Sequence, residues 1–155
     1  MNTETGTAQR DTAAGEAKLD RLWQRGCEVL GTRYAIMCGA MSWVSERHLV
    51  AAISNAGGFG VIACGSMMPD MLDTEIAATQ ELTNKPFGVN LITMHPELEA
   101  LIDVCLARKV SHVVLAGGLP KGADIKRIKE GGAKVIAFAP ALALAKRMIK
   151  NGADA

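Results

Sequence analysis

Aromatic side chains make up only 4% of this 155-residue chain, and a single tyrosine is among them. So thin a supply excludes a base-stacking platform for single-stranded nucleic acid. The formal charge is +1, with the lysines and arginines scattered, so no basic stripe marks nucleic acid as a partner. No apolar run is long enough to cross a bilayer, which argues against a membrane partner. Among the four cysteines, Cys27, Cys38, Cys64 and Cys105, no two form a CxxC pair. Zinc sites need thiols or imidazoles at short fixed spacing, so no metal is expected, and the thiols read as reduced groups of a cytoplasmic protein. Residues 1–18 lack both a basic n-region and an apolar h-region and are rich in Thr, Ala, Gly and Glu. They are expected to form a disordered leader, not a secretion signal.

What is present is a repeating strand-then-helix unit. Apolar strand-like runs cover residues 34–38, 59–63, 87–92, 112–115 and 134–138, about 25 residues apart, the length of one βα unit. Helical patterns lie between them. A short helix is expected over 19–26, and another over 46–56 with Ser45 as its cap. Further helices are expected over 69–82 and after Pro96, where Leu98, Leu101, Ile102, Cys105 and Leu106 form one apolar stripe. The last two are expected over 123–130 and 141–150. Asn151 and Gly152 then read as a helix end followed by the start of another strand. Strict alternation without a hairpin signal predicts a parallel α/β sheet with right-handed crossovers. Both an open doubly wound sheet and part of a (β/α)₈ barrel fit this pattern, and both place ligands at the carboxyl ends of the strands.

Those ends are small and glycine-rich: Gly39-Ala40-Met41, Cys64-Gly65-Ser66, Ala116-Gly117-Gly118 and Ala139-Pro140. Small residues let the backbone approach a flat ligand closely. Asn90 interrupts an apolar strand between Val89 and Leu91. A buried amide costs about 1–3 kcal/mol if unpaired, so Asn90 must find backbone, water or ligand. No G-x-G-x-x-G opens a helix after the first strand, which argues against a nicotinamide-type Rossmann site. Of the three histidines, His48 falls in a helix first turn and His112 at the amino end of a strand, the stability face of a barrel. His95 lies on the ligand side but also reads as a helix-start residue before Pro96.

Three segments together resemble one family: IMCGAMSWVS (36–45), LVAAISNAGGFGVIACG (49–65) and KPFGVNLI (85–92). Joined by ALALAKRMIKNGADA (141–155), they resemble the FMN-dependent nitronate monooxygenases, formerly 2-nitropropane dioxygenases. The pattern is shared with the flavin-containing enoyl-acyl carrier protein reductase of type II. The resemblance implies a (β/α)₈ TIM barrel, present as an N-terminal portion of about five βα units over residues 19–155 and truncated before strand six. It implies FMN as cofactor, with Gly39, Ala40, Met41 and Asn90 as its contacts, and a nitronate or enoyl thioester as the small-molecule partner. A homo-oligomer is left open.

Two departures matter. The family pattern often reads Pro-Ile-x-Gln before its turn, where this chain has Ala35, Ile36, Met37 and Cys38. The family's catalytic histidine falls in a Gly-Gly-His segment after the position of Ala155, so no catalytic residue is assigned. A chain lacking that base is expected to be inactive alone, and a non-catalytic barrel remnant that binds nothing is the third reading.

Overall fold

The computed structural model describes residues 4–155, with side chains from residue 14 onward. Its strands are β1 (Gly60–Ala63), β2 (Phe87–Ile92), β3 (His112–Ala116) and β4 (Lys134–Ala137). Its helices are α1 (Glu4–Leu30), α2 (Arg47–Asn55), α3 (Pro69–Leu82), α4 (Leu98–Ala107), α5 (Gly122–Glu130) and α6 (Leu142–Lys150). The four strands are parallel and lie in the order β1-β2-β3-β4.

Sequential order separates the two architectures left open by the sequence. A doubly wound sheet reverses its strand order at a switch point and covers both faces with helices; among the described residues this sheet keeps sequential order, and its second face meets only the end of α1. Ile62, Val89, Leu91, Val113, Leu115 and Val135 pack on one face against Val50, Leu72, Ile76, Leu101, Ile102, Ile125 and Ile128 of the helices. The alternate residues Phe59, Val61, Val114 and Ile136 form a separate small cluster with Leu30 on the other face. Period-two alternation in the strands therefore sorts the chain into a helix-covered convex side and a concave side, as in a sheet curving toward a barrel.

The expected strand over 34–38 shrinks to a single parallel bridge between Met37 and Phe59. Tyr34 N donates to Gly57 O (2.9 Å), Phe59 N to Ile36 O (2.8 Å) and Cys38 N to Phe59 O (2.9 Å), so the segment runs beside the residues that lead into β1. At the opposite edge, Asp154 N donates to Val135 O (2.8 Å) and Ala137 N to Ala155 O (2.9 Å). Residues 153–155 thus begin a parallel pairing with β4, directly after the Asn151 cap of α6, as the sequence leads one to expect.

The largest difference from expectation is α1. It runs from Glu4 to Leu30, so a helix occupies residues 4–18 of the stretch expected to be disordered; residues 1–3 lie outside the described residues. The physical reason is propagation: once a helix is anchored, each further residue adds a hydrogen bond for little cost, and Ala8, Ala13, Ala14 and Ala17 favour the helix enough to offset Gly6, Gly15 and the threonines. The anchor is the carboxyl end of α1. Trp23 meets Tyr34 edge-on at 5.6 Å. Lys134 Nζ donates to the carbonyls of Glu28 (3.0 Å) and Val29 (2.6 Å), placing a cation on the negative pole of the helix.

His112 completes that plug. Its Nε2 lies 2.8 Å from Val29 O and its Nδ1 2.9 Å from Ser111 Oγ, with the ring edge-on to Phe59 at 4.8 Å. Burial holds the imidazole below its ordinary pKa, opposed by the Val29 hydrogen bond. The unfolded chain therefore binds the proton more readily, so stability is full above the unfolded value of about 6.5 and falls as pH drops toward the lowered folded value. The urea midpoint should decrease between about pH 7 and about pH 5, and His112→Gln should flatten that slope.

Candidate functional site

The carboxyl ends of the strands enclose a cavity of about 420 Å³ on the concave side, within the range of small-molecule sites. Its wall combines Cys38, Gly39 and Ala40 from the loop before α2, Val61 of β1, Asn90 and Ile92 of β2, and Val114, Ala116, Gly117 and Phe138 beyond. Strand alternation explains this set: Asn90 and Ile92 share a face, and Asn90 pairs in register with Ala63 on one side and Val114 on the other.

Asn90 is the polar centre of an apolar wall. The residue is 8% exposed, and Nδ2 donates to Val114 O at 3.2 Å. Among the described residues nothing else bonds the amide, so Oδ1 and the second N–H remain for whatever enters the cavity. Gly39 supplies the flat approach: a Cβ built there meets no atom within 4 Å, so the space above its backbone is open.

Ser45 fixes the loop that carries Gly39. Its hydroxyl donates to Gly39 O (3.1 Å) and accepts from Met41 N (3.0 Å), with the residue only 2% exposed. The expected cap of α2 is therefore corrected. Glu46 is the N-cap, its carboxylate accepting from His48 N and Leu49 N (both 3.1 Å), because Ser45 is already committed to the turn. Ser45→Ala leaves two backbone groups unpaired and should lower stability by about 1–2 kcal/mol. Hydrogen exchange at the Met41 amide should quicken in the same variant, with exchange in β2 and β3 unchanged.

Of the four expected cofactor contacts, Gly39, Ala40 and Asn90 share this wall. Met41 stands apart: it is exposed on the rim, and its N–H is held by Ser45. Sequence reasoning missed Val61, Ile92, Val114 and Phe138, although the i, i+2 spacing from Asn90 was a usable signal for Ile92. None of the histidines is there. His48 sits in the first turn of α2, His112 faces α1 at the amino ends, and His95 Nδ1 accepts from Glu97 N at 3.1 Å. The wall can hold and orient a ring, but its side chains provide no carboxylate or imidazole for proton transfer.

A larger cleft of about 570 Å³ lies between α2 and α3, beside Trp43, Met67, Met71 and Thr74. Its main polar feature is an ion pair: Glu75 accepts from Arg47 N (2.5 Å), Nε (3.0 Å) and Nη2 (2.5 Å). Those groups are spent on each other, joining α2 to α3. The smaller cavity is the better candidate because, among the described residues, the Asn90 amide keeps an oxygen and one N–H unpaired, and it lies at the strand ends.

Comparison with known proteins adds kinship. The family described as nitronate monooxygenase matches residues 24–155. A (3aS,4S,5R,7aS)-5-hydroxy-7a-methyl-1-oxo-octahydro-1H-indene-4-carboxyl-CoA dehydrogenase from Rhodococcus jostii is 35% identical, over 83% of this chain and 36% of its own length. A probable nitronate monooxygenase from Staphylococcus saprophyticus is 27% identical, over 77% of this chain and 43% of its own. Among solved structures, FabK from Thermotoga maritima superposes with a TM-score of 0.81 at 38% identity, covering 84% of this chain and 42% of that one. The chain thus spans less than half the length of these relatives.

Proposed function

The chain belongs to the nitronate monooxygenase family, with the N-terminal portion of a (β/α)₈ barrel as its fold, and from that premise we propose that it forms the ring-binding part of an FMN-dependent oxidoreductase. The observation that carries this reading is the amide of Asn90, buried in an apolar cavity at the strand ends with its oxygen unpaired. A flavin fits these residues. Gly39 and Ala40 would lie against the flat ring, Asn90 would bond a polar edge, and Val61, Ile92, Val114 and Phe138 would exclude water from its apolar part. FMN, when bound, supplies the electron acceptor for substrate oxidation. The chain's own residues position the ring and set its surroundings; they donate and accept no proton at the reacting carbon.

The substrate proposed first is an alkyl nitronate, oxidised with O₂, in line with the family description and the Staphylococcus relative. A second reading, redox chemistry on an acyl thioester with NAD(P)H, is favoured by the identities: 35% to a CoA-thioester dehydrogenase and 38% to FabK, against 27% to the probable nitronate monooxygenase. A cytoplasmic setting belongs to either proposal. Among the described residues no helix is long and apolar enough to cross a membrane.

Titration of the 155-residue chain with FMN, followed by quenching of flavin fluorescence, tests the cofactor directly. Saturable quenching is expected, and a flat titration would contradict the flavin reading. With FMN-loaded protein, oxygen uptake on propionate-3-nitronate supports the first substrate, and NAD(P)H consumption with a crotonyl thioester supports the second.

A further inference from the structure

We propose that Cys38 is a thiol-modification site inside the ligand cavity, where a mixed disulfide and a bound planar ring exclude one another. The inference rests on the flavin reading above and adds to it a redox-sensitive residue in the wall.

The four thiols divide cleanly by environment. Cys64 and Cys105 are buried. Burial pushes the Cys64 thiol up to about 12, and burial with the neighbouring Cys64 pushes Cys105 up further. Neither supplies thiolate near neutral pH. Cys27 and Cys38 are half-buried and reachable. Cys27 is at the carboxyl end of α1, where its Sγ donates to Arg33 O at 3.3 Å, away from the cavity. Cys38 lies in the cavity wall beside Gly39, and among the described residues its thiol makes one long hydrogen bond, Sγ to Gly39 O at 3.6 Å. The amide of Asn90, in the same wall and 8% exposed, independently marks the space as one meant for a ligand.

The step is a thiol–disulfide exchange with a low-molecular-weight disulfide, RSSR. The Cys38 sulfur attacks one sulfur of RSSR, a new S–S bond forms, the old one breaks, RS⁻ leaves, and the thiol proton passes to solvent. RSSR is itself the oxidant: the Cys38 sulfur is oxidised to the mixed disulfide while one RS half is reduced to thiolate. The attached R group then occupies the open space above Gly39, where the ring would rest.

The test uses the 155-residue chain, FMN, iodoacetamide and oxidised glutathione, with peptide mass spectrometry at Cys27 and Cys38. With FMN at about ten times its Kd, alkylation of Cys38 should slow about tenfold while Cys27 reacts at its former rate. Treatment with oxidised glutathione should abolish FMN quenching. That sensitivity should vanish in Cys38→Ser and persist in Cys27→Ser. Equal alkylation of Cys38 with and without bound FMN, or a glutathionylated Cys38 that still binds FMN, would overturn this proposal alone. Failure of the untreated chain to bind FMN would instead overturn the flavin reading, and this proposal with it.

Discussion

Gly60→Ala should be among the most destabilising single substitutions in the chain, costing about 3 kcal/mol or more. The glycine opens β1, and a Cβ built on it comes 2.4 Å from the Val50 carbonyl oxygen and 2.9 Å from Val50 Cα. Both atoms are backbone of α2, so no rotamer change relieves the clash; the helix itself must move off the sheet. The missing side chain is what lets α2 sit directly on β1. The consequence reaches the cavity. The loop carrying Gly39 is tied through Ser45, whose carbonyl accepts from Ala63 N at 3.1 Å. If α2 shifts, that tie and the turn it holds shift with it. A urea melt should show a much lower midpoint, and FMN binding should weaken under conditions where the variant remains folded.

Asn90→Leu should act in the opposite way, with a large effect on ligand and a small one on fold. Leucine has the same four side-chain heavy atoms branched at the same carbon as asparagine, and its bulkier methyls extend into the open cavity, so the wall stays filled and a polar group leaves an apolar environment. The loss on the folded side is one hydrogen bond to Val114 O, at 3.2 Å a long one. Removing it should change stability by about 1 kcal/mol at most. The ligand, however, loses the one side-chain amide in the cavity wall. FMN affinity should fall by about 10- to 100-fold, corresponding to about 1.4–2.8 kcal/mol. Thermal melting of the ligand-free variant, run beside the flavin titration, separates the two effects. A fall in affinity matched by an equal fall in stability would indicate a structural amide and no ring contact.

The strands were legible because their side chains are sorted by burial alone. Residues 87–92 form a continuous apolar run broken only at Asn90, and β2 occupies the same residues. The strand over 34–38 looked equally apolar, yet it makes one bridge; a pattern of residues reports the tendency to be extended, not the number of neighbours available to pair. Ser45 illustrates a different limit. Serine and glutamate adjoin at the start of α2, and serine is the better cap by intrinsic preference. The competition is settled by Gly39 O and Met41 N, which claim the hydroxyl from across the turn. Residues 4–18 were misread for a related reason: their composition permits both a coil and a helix, and the anchor at Trp23, Val29 and Leu30 decides.

The site was legible in part, for the same physical reason. Asn90 stood out because an amide in an apolar strand needs a partner, and Gly39 and Ala40 because small residues at strand ends leave room. Met41 was drawn in by its place in the same tripeptide, and its N–H turns out to be bound to Ser45. Val114 lines the cavity because it stands in register beside Asn90 on the neighbouring strand, a pairing that no local sequence signal records.

Hydrogen exchange of the 155-residue chain with and without saturating FMN tests the central claim most directly. The account predicts slowed exchange confined to the backbone around Gly39 and Ala40 and to the carboxyl end of β2 around Asn90. Protection appearing instead in the α2–α3 cleft around Trp43 and Met71, or nowhere at all, would contradict it.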